Sequence, residues 1–267
     1  MKKIGLVGCG AIGEGIALFI DRNLPKYASL TTLADKRKTA ATSLNKKLLK
    51  KAKIKTINNL IKEVDLVIET ASQTAASQII KQNLKYKKDV IILSVGAIIK
   101  DLQILKEIQE KNINLYIPSG AITGVDGLSA LAKGNIKKLT ITTSKPPAGL
   151  TGAAYLKNKK INIDKIKKPT IIFSGNVAEA TKYFPKNINV AATLLLASKY
   201  DKVKVMIKLN PKIKKNIHKI EAIADEAKIK IEVENASSKI NPKTSALTIL
   251  STQTLLEKIF SSVKIGS

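Results

Sequence analysis

Six residues near the amino terminus, Gly8-Cys9-Gly10-Ala11-Ile12-Gly13, follow the pattern G-x-G-x-x-G. Placed between a strand and a helix, such residues hold a phosphate with backbone alone. Gly8 permits the tight turn, Gly10 leaves room for a pyrophosphate, and Gly13 lets the helix lie close to the strand. Ala11 and Ile12 open that helix, whose unpaired N–H groups and positive dipole end attract an anion. An acid about 20 residues further on completes the pattern. Here it is Asp35, at the end of the second expected strand and placed to accept hydrogen bonds from the ribose hydroxyls of NAD. Its bland alternative is a solvated strand-end acid. Lys36, Arg37 and Lys38 follow directly. They read either as a charged helix start or as partners for a 2′-phosphate, so the expected cofactor is NAD or NADP. His218 is the only imidazole in the chain, and its ordinary pKa suits proton transfer near neutrality. Read alone, it is either that base or a histidine satisfied by hydrogen bonds. Cys9 reads as a small apolar filler of the turn rather than a nucleophile. Glu69 ends an apolar run, which fits a cofactor cleft and ordinary strand-end polarity equally.

The elements that must position these residues follow from apolar patterning. Residues 3–8, Leu30–Ala34, Val64–Glu69, Asp89–Val95 and Ile113–Ile117 are short, nearly continuous apolar runs. Helical stretches at 11–22, Lys36–Lys51, Thr74–Asn83 and Leu102–Lys111 separate them. That rhythm predicts an α/β Rossmann domain, a doubly wound parallel sheet covered on both faces, over residues 1–125. Beyond it the runs alternate, at Lys137–Thr143, Thr170–Phe173, Lys202–Leu209 and Ile229–Val233. Ser144–Gly149 reads as a loop. Val177–Tyr183, Val190–Ser198 and His218–Ala224 read as helices. The expectation for 126–244 is an α+β domain with a mostly antiparallel, open-faced sheet. The tail, about 245–267, reads as a helix returning to the first domain.

Composition narrows the classes. The 267 residues carry a formal charge of +27, with 44% hydrophobic and 25% charged residues, which suits a packed chain rather than a disordered one. One cysteine and one histidine argue against a disulfide framework and a protein-bound transition metal. No long uncharged apolar run indicates a membrane span, and Met1-Lys2-Lys3 precedes too short an apolar stretch for a signal peptide. The expected location is the cytoplasm. Arginine occurs only at Arg22 and Arg37 among 47 basic residues, and the lysines are spread along the chain. Both features argue against a nucleic-acid surface, while the field still favours anionic small molecules.

Several stretches together resemble the L-aspartate dehydrogenase family. They are the glycine loop, Ile91-Ile92-Leu93-Ser94-Val95-Gly96-Ala97, Pro118-Ser119-Gly120-Ala121-Ile122 with Gly124 and Asp126, and Lys145-Pro146-Pro147. They continue through Asn187-Ile188-Asn189-Val190-Ala191-Ala192, Asn216-Ile217-His218 and Asn241-Pro242-Lys243-Thr244-Ser245-Ala246-Leu247. The resemblance implies NAD(P)-dependent oxidation of L-aspartate to iminoaspartate, in support of NAD biosynthesis, by a homodimer. It implies cofactor contacts at Ala121 and Asn189, the latter otherwise readable as a helix N-cap, and makes His218 the active-site histidine. The chain departs from the family pattern in three places: Thr123 for a glycine, Ser144 for an arginine, and the stretch Ala224-Asp225-Glu226-Ala227 for Gly-x-Phe-Gly.

On that implied reaction, a base must take a proton from the substrate ammonium before hydride leaves Cα, and His218 is expected to do so with an unperturbed pKa. Two substrate carboxylates need cationic or N–H partners in a cleft between the domains. Lys145, Ser119 and Thr244 are the candidates, though a lone lysine here is more often solvated. The competing readings are a homoserine dehydrogenase-like or dihydrodipicolinate reductase-like enzyme and a non-catalytic NAD-binding protein.

Overall fold

The structure is a computed structural model describing residues 1–185, 188–236, 238 and 244–266; Asn187 and residues 241–243 of the stretches quoted above lie outside it. The chain forms two compact units, one of Met1–Pro118 with Thr248–Val263, the other of Ser119–Leu247 with Lys264–Ser267.

The first unit alternates strand and helix. Its strands are β1 (Lys2–Val7), β2 (Ala28–Ala34), β3 (Lys53–Ile54), β4 (Leu66–Glu69), β5 (Asp89–Ile92) and β6 (Leu115–Tyr116). Between them lie α1 (Ala11–Asn23), α2 (Lys38–Lys47), α3 (Ile57–Glu63), α4 (Gln73–Tyr86), α5 (Gly96–Ile99) and α6 (Ile104–Glu110). The six strands are all parallel and lie in the order β3-β2-β1-β4-β5-β6, the Rossmann arrangement. Continuous apolar runs became central strands because both faces are covered: every residue of β4 is buried. Strand order reverses between β1 and β4, and ligands of such sheets bind outside the carboxyl ends at that point. The short β3, α3 and α5 escaped the sequence reading, since two to seven residues carry too little periodicity to register.

The second unit contains α7 (Val125–Leu131), β7 (Ile136–Lys145), α8 (Ala154–Asn158), β8 (Thr170–Gly175), α9 (Val177–Tyr183) and α10 (Asn189–Ser198). Then come β9 (Lys204–Leu209), β10 (Ile217–Ala224) and β11 (Lys228–Glu234). The sheet runs β11-β10-β7-β9-β8, with three antiparallel pairings and one parallel pairing, β7 with β9. The tail helix α11 (Ala246–Phe260) lays Leu256, Leu255, Ile259 and Phe260 into the core of the first unit, and Gln253 Nε2 donates to the Gly15 carbonyl at 3.1 Å.

Two sequence expectations are corrected. His218–Ala224 is not helical but lies within β10. Ile217, Ile220 and Ala224 are spaced as on a helix face, yet His218, Ile220 and Ala222 are buried in alternation. Eight residues cannot decide between those periods; pairing to β7 on one side and β11 on the other does. Ser144 and Lys145 likewise are not loop residues. They are the last two residues of β7, and the chain leaves the sheet only at Pro146, ahead of a single 3-10 turn at Pro147–Gly149.

Candidate active site

The glycine turn joins β1 to α1. Gly8 adopts φ +99°, and a Cβ there would lie 2.7 Å from the Thr70 carbonyl carbon. A Cβ on Gly13 would sit 1.9 Å from the Gly8 carbonyl oxygen, so α1 packs against its own turn only because that atom is missing. A Cβ on Gly10 meets nothing within 4 Å. Gly10 is the N-cap of α1 and supplies no side-chain cap, so the N–H groups of the first turn keep their hydrogen-bonding capacity. Open space, unspent donors and a positive dipole end at one place fit a dinucleotide pyrophosphate.

Asp35, at the end of β2, reaches across to this turn: Oδ2 accepts the Cys9 N–H at 2.7 Å and Oδ1 accepts the Arg37 N–H at 2.7 Å. Each oxygen retains a lone pair for a ribose hydroxyl. Arg37 Nε stands 4.0 Å from Asp35 Oδ1 and is largely exposed. Cys9 is buried, and burial with the Asp35 charge raises its thiol pKa to about 12, the state of an inert filler.

The other side of the switch point is built by β4. Thr70 donates its hydroxyl to the Gly8 carbonyl at 2.7 Å. Glu69 does not line an open cleft; it is fully buried. Oε1 accepts from Ala71 N at 2.7 Å and Ser94 Oγ at 2.8 Å, and Oε2 from Ser94 N at 2.9 Å and Leu93 N at 3.3 Å. Burial raises its pKa while these donors oppose the rise. The carboxylate therefore ties the turns after β4 and β5 together.

These contacts separate the roles of two glycines. Gly13→Ala should cost about 1–3 kcal/mol or more of stability, because the clash is with backbone. Gly10→Ala should leave the unfolding temperature in place yet weaken cofactor binding about tenfold or more, about 1.4 kcal/mol. Fluorescence titration with reduced cofactor checks this; undiminished affinity in Gly10→Ala would remove Gly10 from the phosphate site.

In the second unit, β7 and β10 bring three polar side chains together in the core. His218 pairs with Thr143 across the two strands, and Nδ1 lies 2.9 Å from Thr143 Oγ1. Lys145 is two residues further along β7 and so on the same face of the sheet. His218, Thr143 and Lys145 are 4%, 4% and 6% exposed. Burial lowers the Lys145 pKa to about 8. Burial first, and the Lys145 charge second, lower that of His218 to about 4. The expectation of an unperturbed imidazole is therefore replaced by one held neutral beside a cation. Thr143 carries no sequence motif; only its register opposite His218 reveals it.

The remaining sequence candidates lie elsewhere in this unit. Ala121 follows Gly120, which has φ +69°, and its carbonyl accepts from Asn235 Nδ2 at 3.0 Å. Asn235 in turn accepts from Ser245 Oγ, next to Thr244, so one buried amide joins the Ser119–Ala121 and Thr244 segments. Ser119 and Thr244 are half-buried. Asn189 is the first residue of α10 rather than its cap, which is Ile188, and α10 packs along α7. The departure at 224–227 falls in the β10–β11 turn, where Ala224 N donates to Ala227 O and Asn135 Nδ2 to Asp225 Oδ2. No group of three or more His, Cys, Asp or Glu side chains suited to a metal occurs among the described residues.

A parallel sheet in this order with an open glycine turn, in a chain whose second unit buries an imidazole and an ammonium together, defines an NAD(P)-dependent oxidoreductase. Residues 126–259 match the family described as aspartate dehydrogenase, C-terminal, and residues 8–118 the homoserine dehydrogenase NAD binding domain. The chain is 42% identical to an L-aspartate dehydrogenase of Methanosarcina acetivorans and 39% to that of Methanosarcina barkeri, over the full length of each protein. The crystal structure of aspartate dehydrogenase from Thermotoga maritima is similar with TM-score 0.78 and 26% identity, covering both chains completely. The chain belongs to the aspartate dehydrogenase family.

Proposed function

We propose that this protein is an L-aspartate dehydrogenase. It oxidises the amino-bearing carbon of L-aspartate to iminoaspartate, which hydrolyses to oxaloacetate and ammonia or feeds NAD biosynthesis. The observation that carries the reading is the likeness of about 40% identity to L-aspartate dehydrogenases over the entire chain. The buried Lys145–Thr143–His218 arrangement supports it on chemical grounds.

NAD(P), when bound, accepts the hydride that leaves Cα. Gly8, Gly10, Gly13 and the N–H groups of Ala11 and Ile12 hold its phosphates, Asp35 its ribose, and Ala121 and Asn189 contact it further. Lys145, cationic below pH about 8, holds a substrate carboxylate, with Ser119 and Thr244 supplying hydroxyls. His218, uncharged at neutral pH because burial and the Lys145 charge lower its pKa to about 4, has a lone pair ready for the ammonium proton. The arriving carboxylates offset the Lys145 charge, raising the imidazole pKa toward that of a useful base. Catalysis then combines positioning of Cα–H with proton removal.

A homoserine dehydrogenase-like activity is the second reading and draws on the match of residues 8–118 alone. Steady-state assays of reduced-cofactor formation with L-aspartate, homoserine and glutamate, each with NAD and NADP, separate the two. Turnover confined to aspartate is the expected result; turnover of homoserine instead overturns it. Discrimination above about a hundredfold for NAD would remove Lys36, Arg37 and Lys38 from any 2′-phosphate contact. We further place the protein in the cytoplasm as a homodimer, paired through the outer face of the second sheet, where Ile171 is exposed. Sedimentation equilibrium tests that assembly. No helix among the described residues is long and apolar enough to cross a membrane. The charge of +27 is assigned to drawing in anionic cofactor and substrate, not nucleic acid.

A further inference from the structure

The row across the second sheet that contains the imidazole is Val233, His218, Thr143, Ile207 and Phe173, one residue from each of its five strands. Val233 and Thr143 are the ring's two neighbours in that row, and of the two only Thr143 can form a side-chain hydrogen bond with it. Both partners are almost fully buried, so bulk water does not compete for the 2.9 Å contact. Among the described residues, Nε2 makes no hydrogen bond. A neutral imidazole carries its hydrogen on one nitrogen only, and the partner of the other nitrogen settles which.

Two arrangements satisfy the contact. If the hydroxyl donates to Nδ1, the ring hydrogen sits on Nε2 and the outer nitrogen has no lone pair to offer. If Nδ1–H donates to the hydroxyl, the lone pair is on Nε2. Only the second arrangement makes a base of the nitrogen that the strand pairing leaves unengaged. We propose that Thr143 is the positioning residue of His218: its hydroxyl oxygen accepts the Nδ1 hydrogen, which fixes the ring and presents the Nε2 lone pair to the substrate ammonium. The choice between the two arrangements rests on the function proposed above, but the tautomer is read out independently of turnover.

Because the chain has a single histidine, imidazole-selective nitrogen NMR reports this residue with no ambiguity of assignment. The wild-type protein at neutral pH should show one neutral tautomer, with hydrogen on Nδ1. Thr143→Val keeps the shape and removes the hydroxyl; its spectrum should move toward a mixture of tautomers. Its kcat should fall about 10- to 100-fold, less than the full 10²–10⁴ that a general base supplies, at unchanged cofactor affinity. Thr143→Ser should restore both the single tautomer and most of kcat, a rescue that a purely space-filling role does not produce. A wild-type spectrum dominated by hydrogen on Nε2 overturns the proposal, even if the valine variant fails to fold. So does a valine variant whose tautomer and kcat match the wild type. A protein with the expected tautomer but no turnover of aspartate instead sinks the assigned activity and leaves the positioning role of Thr143 intact.

Discussion

Lys145→Met should make the protein more stable while removing most of its activity toward L-aspartate. The lysine is 6% exposed, and burial lowers its pKa from 10.5 to about 8. Below pH about 8 both folded and unfolded chains carry the charge, and the folded chain bears the full desolvation cost. Between about 8 and 10.5 the unfolded chain binds the proton and the folded chain does not, so stability climbs with pH across that window. The fall from 10.5 to about 8 sets a ceiling of about 3 kcal/mol on the cost at neutral pH. Methionine fills similar volume without the charge, the kind of replacement that is neutral or stabilising at buried ionic sites. The substrate carboxylate meanwhile loses its cation, costing on the order of 2–4 kcal/mol, about 30- to 1,000-fold in kcat/KM. Thermal denaturation at neutral and alkaline pH, beside steady-state kinetics, checks both halves. The variant should lack the alkaline rise in stability seen for the wild type. Removing the charge should also raise the His218 pKa, since the Lys145 ammonium disfavours the imidazolium. A destabilised variant with an unaltered KM for aspartate would show that Lys145 is neither strained by burial nor bound to substrate.

His218→Ala should lower kcat by about 10²–10⁴ without changing the dissociation constant of the cofactor. The same substitution has an acid signature. The folded imidazole protonates only near pH 4, whereas in the unfolded chain it does so near 6.5. As pH falls through 6.5 the unfolded chain gains the proton first, and wild-type stability drops until about pH 4, by at most about 3 kcal/mol. The alanine variant has no such group, so its slope between those pH values should be shallower. At neutral pH it is offset by an unpartnered Thr143 hydroxyl, at about 1–3 kcal/mol. Parallel urea titrations at several pH values resolve the two contributions. An alanine variant with wild-type turnover would end the assignment of His218 as the base.

Much of the dinucleotide site was legible in the residues themselves. Gly8, Gly10 and Gly13 mark positions where the backbone must turn sharply, stay bare or touch another backbone, and those demands are local. Asp35 was legible from spacing, because the strand and helix between it and the loop have nearly constant length. The parallel character of the first sheet followed from short, continuous apolar runs alternating with helical stretches, the rhythm of a sheet covered on both faces. By contrast, residues 217–224 fit two periods at once, and α3, α5 and β3 were too short to declare themselves.

His218 could be singled out by its type, but its company could not. Thr143 lies 75 residues away, and their 2.9 Å contact exists only because β7 and β10 pair in one register. The same register carries Lys145 out of an expected loop into the interior, and burial there moves both pKa values. From sequence alone the chain established that it handles a dinucleotide and owns one imidazole, because turn geometry and residue type are properties of neighbours along the backbone. Tertiary structure decided that the imidazole is neutral, partnered and set beside a strained ammonium, because desolvation depends on which distant strands close over a side chain.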